Sequence, residues 1–267
     1  MMKRYALLTF DVEEFDMPLE YGFAISADEQ MRVGKNGLDA IQPLLADPHI
    51  TSTLFTTANF AVHYPDTIKQ LATKHEIASH TFYHSDFCNE HLLLSKKKLE
   101  EISSTTVTGL RMPRMRKVSM EEVKKAGYIY DSSVNPTWLP GRYNNFHLPR
   151  TVYAEGGVTR IPASVSPHIR VPLFWLSFKN LPYALFKMLA LQTLKKDGYL
   201  CLYFHPWEFT PIDHYGLPGY TKKINGAPLL ARLQRLVFDL KKEADFITMS
   251  HFQKISPLPA HTQKAPV

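Results

Sequence analysis

The sequence predicts an α/β fold in one domain, built on a mainly parallel sheet. Short apolar or β-branched segments alternate with amphipathic segments along most of the 267 residues. Strands that are separated by helices are typical of parallel βαβ units. The length suits one large α/β domain with a sizeable buried core, and no linker-like segment divides residues 1–255.

The predicted strands are short runs of apolar or β-branched residues. Residues 5–10 are apolar until Asp11, where the first strand ends. Residues 51–56 are β-branched, as in a buried strand, and residues 199–204 form the most apolar of these runs. The other predicted strands are 108–111, 128–131 and 246–249.

The predicted helices carry apolar residues at helical spacing or are bounded by capping residues. Ile68, Leu71 and Ala72 share one face of residues 65–74. Residues 119–126 begin with an N-cap serine and a capping-box glutamate, and a glycine follows them. The other predicted helices are 33–46, 92–102, 180–196 and 228–244.

Two segments interrupt this alternation. Residues 136–172 carry six prolines and short β-like pieces, which predict an excursion that contains a β-hairpin. Residues 256–267 are polar and rich in proline, so we expect a disordered tail after the domain.

The composition excludes several classes of protein. A chain with 45% hydrophobic residues is not intrinsically disordered, and two cysteines cannot form a disulfide framework. The formal net charge is +6, but the basic residues are scattered in pairs, with residues 96–98 as the longest run. Such pairs are typical of solvated helix faces, so we expect no nucleic-acid partner.

The sequence predicts neither an export signal nor a membrane span. The six apolar residues after the basic start are too few for a secretory signal peptide. The best candidate span, residues 183–194, is interrupted by Lys187 and Gln192. We therefore expect a cytoplasmic protein in which Cys88 and Cys201 are reduced thiols.

Four acidic residues cluster at the end of the first predicted strand. Asp11 and Glu13 point to the same side, because side chains alternate along a strand. Two carboxylates on one side suit a divalent cation or an acid–base pair, and a solvated acidic loop fits the pattern equally. Glu14 and Asp16 lie on the opposite face if the strand continues.

Two histidines, His80 and His84, lie four residues apart. On a helix or helical turn they share one face, where two neutral imidazoles are a common metal-binding pair. An ordinary pair of polar histidines is the alternative. His75-Glu76 begins like a zinc-protease H-E-x-x-H motif, but His80 comes one residue too late. Five residues rotate a helix by ~500° and leave the rings about 140° apart, which excludes that motif.

Two further segments place polar side chains at predicted strand ends. Arg111 is placed to orient a carboxylate, whereas Arg114 and Arg116 fit a basic surface turn. His205 follows the most apolar strand and is placed to act as a general acid or base, with a capped core histidine as the alternative. Trp207 and Glu208 follow it directly.

These motifs occur together and in one order, and the sequence resembles the NodB-homology polysaccharide deacetylases, carbohydrate esterase family 4. The resemblance spans residues 5–252 and is carried by residues 51–61, 75–84, 111–113, 127–133 and 205–208. The last two segments resemble the branch of allantoinase-like and Helicobacter-type peptidoglycan deacetylases, and Asp131 among them is a further candidate site residue. The resemblance implies a distorted (β/α)7 barrel with a small β-hairpin excursion around residues 136–172.

The resemblance also implies a site that holds a divalent metal with one carboxylate and two histidines. Carried over in this way, His80 and His84 are metal ligands. Asp11 takes the position of the catalytic base, which Arg111 positions, and His205 takes that of the general acid. The implied metal is zinc, with cobalt, nickel or manganese as alternatives.

The first motif departs from the family. Most members have two adjacent aspartates, but Val12 follows Asp11 here and cannot bind a metal. The related branch spaces its carboxylates by one residue, which makes Glu13 the implied ligand and agrees with the strand alternation. Glu14 is the second candidate if the strand ends early.

The implied function is hydrolysis of an N-acetyl group on a sugar or glycan precursor, which cleaves a C–N bond other than a peptide bond. Three alternatives stay open. They are an allantoinase-like cyclic-amide hydrolase with little or no metal, a glycoside hydrolase that uses Asp11 with Glu13 or Glu208, and a non-catalytic carbohydrate-binding protein. Three arginines near the implied barrel mouth suit an anionic sugar: Arg114, Arg116 and Arg142. Three tryptophans suit stacking on sugar rings, with core packing as the alternative: Trp138, Trp175 and Trp207.

Overall fold

The structure is a computed structural model that describes residues 3–256. The strands in this part of the chain are β1 (Tyr5–Val12), β2 (Thr53–Thr56), β3 (Glu76–Ser79), β4 (Gly109–Leu110), β5 (Tyr130–Asp131), β6 (Trp138–Leu139), β7 (Tyr143–Asn144), β8 (Tyr153–Glu155), β9 (Val158–Arg160), β10 (Tyr199–Phe204) and β11 (Asp245–Phe246). The helices are α1 (Ala27–Ala40), α2 (Gln42–Leu45), α3 (Ala58–His63), α4 (Pro65–Ala72), α5 (Glu90–Ser103), α6 (Met120–Lys125), α7 (Trp175–Asn180), α8 (Tyr183–Asp197), α9 (Gly219–Lys222), α10 (Gly226–Leu240) and α11 (Met249–Ile255). Three 3-10 turns lie at Met17–Tyr21, Pro113–Met115 and Pro206–Phe209.

Parallel strands form the wall of a distorted barrel. Their hydrogen-bonded order is β10, β1, β2, β3, β4, β5 and β9; β11 adds to β1, and β8 pairs antiparallel with β9. The ends of the sheet meet where the Ser164 amide donates to the Cys201 carbonyl at 2.9 Å. The Cys201 amide in turn donates to Ser164 Oγ at 2.8 Å. The predicted α/β fold and its seven-stranded barrel are therefore confirmed.

The strand predictions hold best where the chain is most apolar. Strand β10 has the bounds that the sequence predicts, and its neighbour β1 runs two residues further than predicted. Strand β3 is missed, because its Glu-Ile-Ala-Ser sequence has no β-branched run and becomes a strand only through pairing with β2. The predicted strand 246–249 is wrong beyond Phe246, since Thr248 caps α11.

The predicted excursion at 136–172 is only partly right. Strands β6 and β7 do form a separate antiparallel hairpin, Trp138 opposite Asn144. Strand β9 in the same segment instead pairs parallel with β5 and belongs to the barrel. Gly156 and Gly157, both at positive φ, make the tight turn that folds β8 back beside it.

Three helix predictions need correction. The predicted helix 33–46 is two helices, because α1 ends before Ile41 and α2 begins after it with Pro43 in its first turn; α1 also begins earlier, at the Ser26 N-cap. The predicted helix 180–196 corresponds to α8, which begins only after Pro182, and α7 before that proline is absent from the prediction. Helix α3, capped by the Thr57 side chain, is absent from the prediction.

Helix α1 approaches the carboxyl end of the barrel through two glycines. A Cβ at Gly34 would lie 2.4 Å from the Glu13 carbonyl oxygen. A Cβ at Gly37 would lie 1.9 Å from the Pro206 carbonyl oxygen. Helix α1 therefore packs directly on the loops that follow β1 and β10, which carry several of the candidate site residues.

Within residues 3–256, no helix is long and apolar enough to cross a membrane. Cys88 is exposed and Cys201 is buried, and neither forms a disulfide in the described chain. Residues 257–267, nearly all of the predicted disordered tail, lie outside the described residues. The cytoplasmic location and the single domain over residues 1–255 stay predictions.

Candidate metal centre and active site

The predicted site residues meet at the carboxyl ends of the barrel strands. Asp11 lies near the end of β1 and Glu13 follows that strand directly. His80 follows β3, Arg111 follows β4 and His205 follows β10. Because parallel strands end at one edge of the barrel, five positions that are far apart in sequence share one site.

Glu13, His80 and His84 form a compact buried cluster. Glu13 Oε2 lies 3.0 Å from His80 Nε2 and 3.1 Å from His84 Nε2. The three candidate ligand atoms lie within 4.8 Å of one another. Zinc with four ligands at about 2.0 Å places its ligand atoms about 3.3 Å apart, so the cluster fits a metal of this size.

Hydrogen bonds on the outer side orient both imidazoles. His80 donates from Nδ1 to the Arg111 carbonyl at 2.7 Å. His84 donates from Nδ1 to Asp16 Oδ1 at 2.7 Å. The Nε2 atom of each ring therefore faces Glu13, and a proton on Nδ1 is the tautomer that a metal-binding histidine needs.

The loop that carries the two histidines is not helical, so the helix or helical turn that would place them on one face does not form. The chain leaves β3 after Ser79 and turns at Thr81, which has a φ of 63°. The His80 and His84 rings nevertheless stack, with centroids 5.7 Å apart and planes at 26°. The loop, with Thr81 in the left-handed region, thus brings the two imidazoles side by side, as a helix would.

The Glu13 carboxylate has one satisfied and one unsatisfied oxygen. Oε1 accepts a hydrogen bond from the Trp207 indole Nε1 at 3.0 Å. Oε2 is buried and has no hydrogen-bond partner among the described residues. It faces the Nε2 atoms of His80 and His84, and three converging atoms that can each bind a metal suit a divalent cation.

The pKa values of Glu13 and His84 also indicate that this cluster stabilises a positive charge. Burial alone would raise the pKa of Glu13, but the imidazoles of His84, His205 and His80 lower it far below its usual range. Burial alone would lower the pKa of His84, but the carboxylates of Glu13 and Asp16 raise it to about 9. Without a metal ion, a proton on His84 compensates the buried carboxylates.

Glu14, the second candidate ligand, points away from the histidine Nε2 atoms. Its Oε2 accepts from Thr57 Oγ1 at 2.6 Å, and its Oε1 accepts from Asn59 Nδ2 at 3.2 Å. Oε1 also accepts from the His84 amide at 3.1 Å. Glu14 therefore holds the β2 and β3 loops together, and the structure brings Glu13 rather than Glu14 to the centre of the cluster.

Arg111 fixes Asp11 from inside the barrel. Its side chain is fully buried, and Nη1 donates to Asp11 Oδ1 at 2.6 Å. Nη1 also donates to Thr9 Oγ1 at 2.8 Å, and Nη2 donates to Ser132 Oγ at 3.0 Å. The guanidinium stacks on the Phe55 ring at 4.1 Å. Asp11 Oδ1 is thus held by Arg111, and Oδ2 lies outside this ion pair.

His205 lies on the other side of Asp11. Its Nε2 is 3.9 Å from Asp11 Oδ2, and its Nδ1 is 3.0 Å from Glu208 Oε1. The imidazole stacks on the Trp207 indole, with centroids 4.9 Å apart. Burial alone would lower the pKa of His205, but the carboxylates of Glu13 and Glu208 raise it above its usual value. The ring therefore retains its proton in the folded protein at higher pH than a free histidine.

Two site residues are missed by the sequence prediction. Asp16 orients His84, and its position in the acidic segment was the available signal, because metal-binding histidines commonly donate to a carboxylate. Lys179 is fully buried with Nζ 3.0 Å from Glu208 Oε2, and it lies near the Trp175 and Trp207 rings. No local motif marks Lys179, because only the packing of α7 against the 3-10 turn at Pro206–Phe209 brings it there.

The cluster opens into a cavity of about 360 Å³. Asp11, Glu13 and His205 line it together with both candidate histidine ligands. The aromatic side chains of Trp175 and Tyr203 also line it, so the space in front of the cluster combines polar catalytic groups with flat apolar walls.

The remaining predicted residues fall into two groups. Arg114 and Arg142 line the cavity, and Glu20 pairs with both of them, at 3.3 Å for Arg142. Arg114 also pairs with Asp16 at 3.2 Å. The following residues do not line the cavity: Arg116, which lies over the Phe87 ring, Asp131, which pairs with Arg160, and Trp138, which is exposed.

Residues 2–130 match the family model of polysaccharide deacetylases. No curated protein matches the sequence. Among solved structures, a protein assigned as a polysaccharide deacetylase from Mycobacterium smegmatis shares 17% identity over 99% of this chain and 96% of its own, with a TM-score of 0.63. Puue allantoinase shares 17% identity over 94% of this chain and 89% of its own, with a TM-score of 0.62.

The Bc1960 peptidoglycan N-acetylglucosamine deacetylase shares 16% identity over 96% of this chain and 91% of its own, with a TM-score of 0.51. At such identities these similarities show a shared fold. The resemblance to the polysaccharide deacetylases that the motifs predict is therefore confirmed, by the family model over residues 2–130 and by the fold of the described chain.

Proposed function

We propose that this protein is a divalent-metal-dependent deacetylase that hydrolyses an N-acetyl group on a sugar or glycan precursor. The observation that carries the proposal is the convergence of three buried potential ligand atoms, Glu13 Oε2, His80 Nε2 and His84 Nε2, within 4.8 Å of one another. Asp11 and His205 stand beside this cluster on the same cavity. A cation-binding cluster flanked by a carboxylate and an imidazole suits hydrolysis of an amide.

Glu13, His80 and His84 are the residues that would hold the metal. A divalent cation bound there would polarise the acyl carbonyl and lower the pKa of the attacking water. Two imidazoles and one carboxylate are a donor set that suits zinc and leaves a coordination position open. Cobalt, nickel and manganese accept the same donors, so the identity of the metal is part of the test.

Asp11 is the proposed general base. Arg111 holds its Oδ1 at 2.6 Å, which leaves Oδ2 to accept the proton of the attacking water. The ion pair also fixes the carboxylate in one orientation, since Arg111 is held in turn by Thr9 and Ser132. Arg111 therefore acts through Asp11, as a positioning residue.

His205 is the proposed general acid. The hydrogen bond between Nδ1 and Glu208 leaves Nε2 directed toward Asp11 and the cavity. A raised pKa keeps the imidazole protonated, which a donor to the departing nitrogen requires. Base and acid thus lie on the same cavity, and Asp11 Oδ2 and His205 Nε2 are close enough for substrate atoms to contact both.

The proposal is tested by acetate release from a panel of N-acetylated sugars, with the purified protein loaded with each metal in turn. His80→Ala and Asp11→Asn should each lower kcat/KM at least about 1,000-fold while the protein stays folded. His251→Ala, at an exposed histidine outside the site, is the matched control. Unchanged turnover by His80→Ala would contradict the metal-site proposal.

The same panel separates the alternatives that the sequence leaves open. Turnover of a cyclic ureide by the metal-free protein would support the cyclic-amide hydrolase. New reducing ends without acetate would indicate a glycoside hydrolase. Binding of a sugar without turnover of any substrate would support a non-catalytic protein.

A further inference from the structure

Hydrogen bonds join the segments around the mouth of the cavity. These links follow one another from segment to segment and return to the segment where they began. The 3-10 turn Met17–Tyr21 is linked to the β6–β7 hairpin, because Arg142 Nη2 donates to Glu20 Oε2 at 3.3 Å. Both Glu20 and Arg142 line the cavity. This first link therefore joins two walls of the cavity that are 122 positions apart in the chain.

The hairpin is linked in turn to the segment that leads into α7. Arg170 donates from Nη1 to the carbonyls of Phe146 at 2.9 Å and Leu148 at 3.0 Å, just after β7. Thr137, just before β6, donates from Oγ1 to the Arg170 carbonyl at 2.7 Å. Both ends of the hairpin are thus bound to Arg170, and four residues later Phe174 lines the cavity.

Two further links complete the circuit. Helix α7 binds α9, because Asn180 Nδ2 donates to the Tyr220 carbonyl at 2.8 Å and Lys179 Nζ donates to the Thr221 carbonyl at 2.9 Å. The Tyr220 hydroxyl lies 3.4 Å from that of Tyr21, in the turn where the circuit began. We call this closed ring of segments the rim. It consists of the turn Met17–Tyr21, the β6–β7 hairpin, residues 170–174, α7 and α9.

A closed rim restricts how a glycan reaches the catalytic groups. An internal residue of a polysaccharide needs a groove that is open on two sides, so that the chain enters and leaves. The rim instead gives the cavity a continuous border, and a volume of about 360 Å³ is at the small end of the range for small-molecule pockets. Trp175 and Tyr203 offer flat walls for a single ring.

From this border, and on the basis of the proposed function, we infer that the substrate is a free N-acylated sugar or the terminal sugar of a short glycan. An internal residue of a polysaccharide does not fit inside the rim unless one of its links opens. The Glu20–Arg142 and Tyr21–Tyr220 links are exposed and join side chains that line the cavity, so their removal is the sharpest way to open the rim.

The experiment compares N-acetylglucosamine, its β-1,4-linked oligomers up to the hexamer and soluble polymeric chitin. Acetate release gives kcat/KM for each, and mass spectrometry of the products locates every deacetylated residue. We expect release from the single sugar or from one end of each oligomer, with kcat/KM about 100-fold lower for internal residues. The double variant Arg142→Ala/Tyr220→Ala should gain deacetylation of internal residues, whereas Trp138→Ala, outside the cavity lining, should not.

Internal deacetylation by the wild-type protein, as fast as terminal deacetylation, would overturn this inference and leave the proposed function standing. No acetate from any member of the panel would contradict the proposed function, and this inference with it. If the folded double variant still deacetylates only terminal residues, the rim is not the cause of the terminal preference. If the double variant does not fold, the product positions of the wild-type protein decide the inference alone.

Discussion

Two glutamates at opposite ends of the barrel strands differ in how their carboxylates are satisfied. Glu76 begins β3 at the amino end, where Thr53 Oγ1, the Ser250 amide and Tyr130 OH donate to it at 2.7, 3.0 and 2.8 Å. Glu13 follows β1 at the carboxyl end, and its Oε2 accepts no hydrogen bond among residues 3–256.

The difference separates a structural carboxylate from one that is reserved for a ligand. Burial raises the pKa of Glu76 despite its three donors, since none of them carries a charge. The neighbouring imidazoles lower the pKa of Glu13, which stays ionised beside them. Fixed neutral donors hold β3 to its neighbours, whereas Glu13 keeps an oxygen that only a cation or a proton can satisfy.

The largest expected effect is on activity, at Glu13. Glu13→Gln keeps the shape of the side chain and its contact with Trp207 but removes the charge, so it should lower kcat/KM at least about 1,000-fold. The variant should stay folded, but the free energy of unfolding of the metal-free protein should fall, because the Glu13 carboxylate compensates the proton on His84. Kinetics and chemical denaturation of the same sample test both expectations, and full activity in the variant would remove Glu13 from the site.

The converse effect is expected at Glu76. Glu76→Ala leaves three donors unpaired and should cost about 2–3 kcal/mol of unfolding free energy. The kcat/KM of the folded variant should stay within about twofold of the wild type, because Glu76 lies at the far end of the strands. A stable but inactive Glu76→Ala protein would contradict the purely structural role that the comparison assigns to Glu76.

A smaller effect is expected from the hydrogen bond that orients Glu13. Trp207→Phe removes the indole donor to Oε1 and should weaken zinc binding about 10- to 100-fold, as measured by competition with a chelator. Trp175→Phe is the matched control, since Trp175 lines the same cavity without a hydrogen bond to Glu13. Equal loss of affinity in both variants would show that the indole N–H has no role in metal binding.

The smallest expected effect is a shift in pH dependence. His205 must be protonated to act as an acid, so activity should fall as the pH rises through its elevated pKa. Glu208→Gln removes one of the carboxylates that raise this pKa, which should move the alkaline limb of kcat about one unit to lower pH. An alkaline limb that stays in place would exclude His205 as the titrating acid.

The sequence indicates the residues at the centre of the candidate site better than the residues that orient them. Side-chain alternation selects Glu13 over Glu14 even though β1 ends at Val12, because the chain continues in the same direction for one residue. The spacing of His80 and His84 would place both rings on one face of a helix, whereas the structure brings them together through a loop with a left-handed Thr81.

The other contacts of the site depend on tertiary packing, which no local sequence pattern indicates. Lys179 reaches Glu208 only because α7 packs against the 3-10 turn that follows β10, and Asp16 reaches His84 only because two loops meet. The same holds for β9, which joins the barrel although its sequence resembles an isolated hairpin arm.

The proposed function has one requirement, that Glu13, His80 and His84 hold the metal on which deacetylation depends. Titration of metal-depleted protein with zinc, followed by both bound zinc and acetate release, tests it most directly. We predict that activity rises with zinc and saturates at one equivalent per chain, and that His80→Ala neither binds zinc at this site nor gains activity. Full turnover by the metal-depleted protein, or equal zinc binding by His80→Ala, would contradict this requirement.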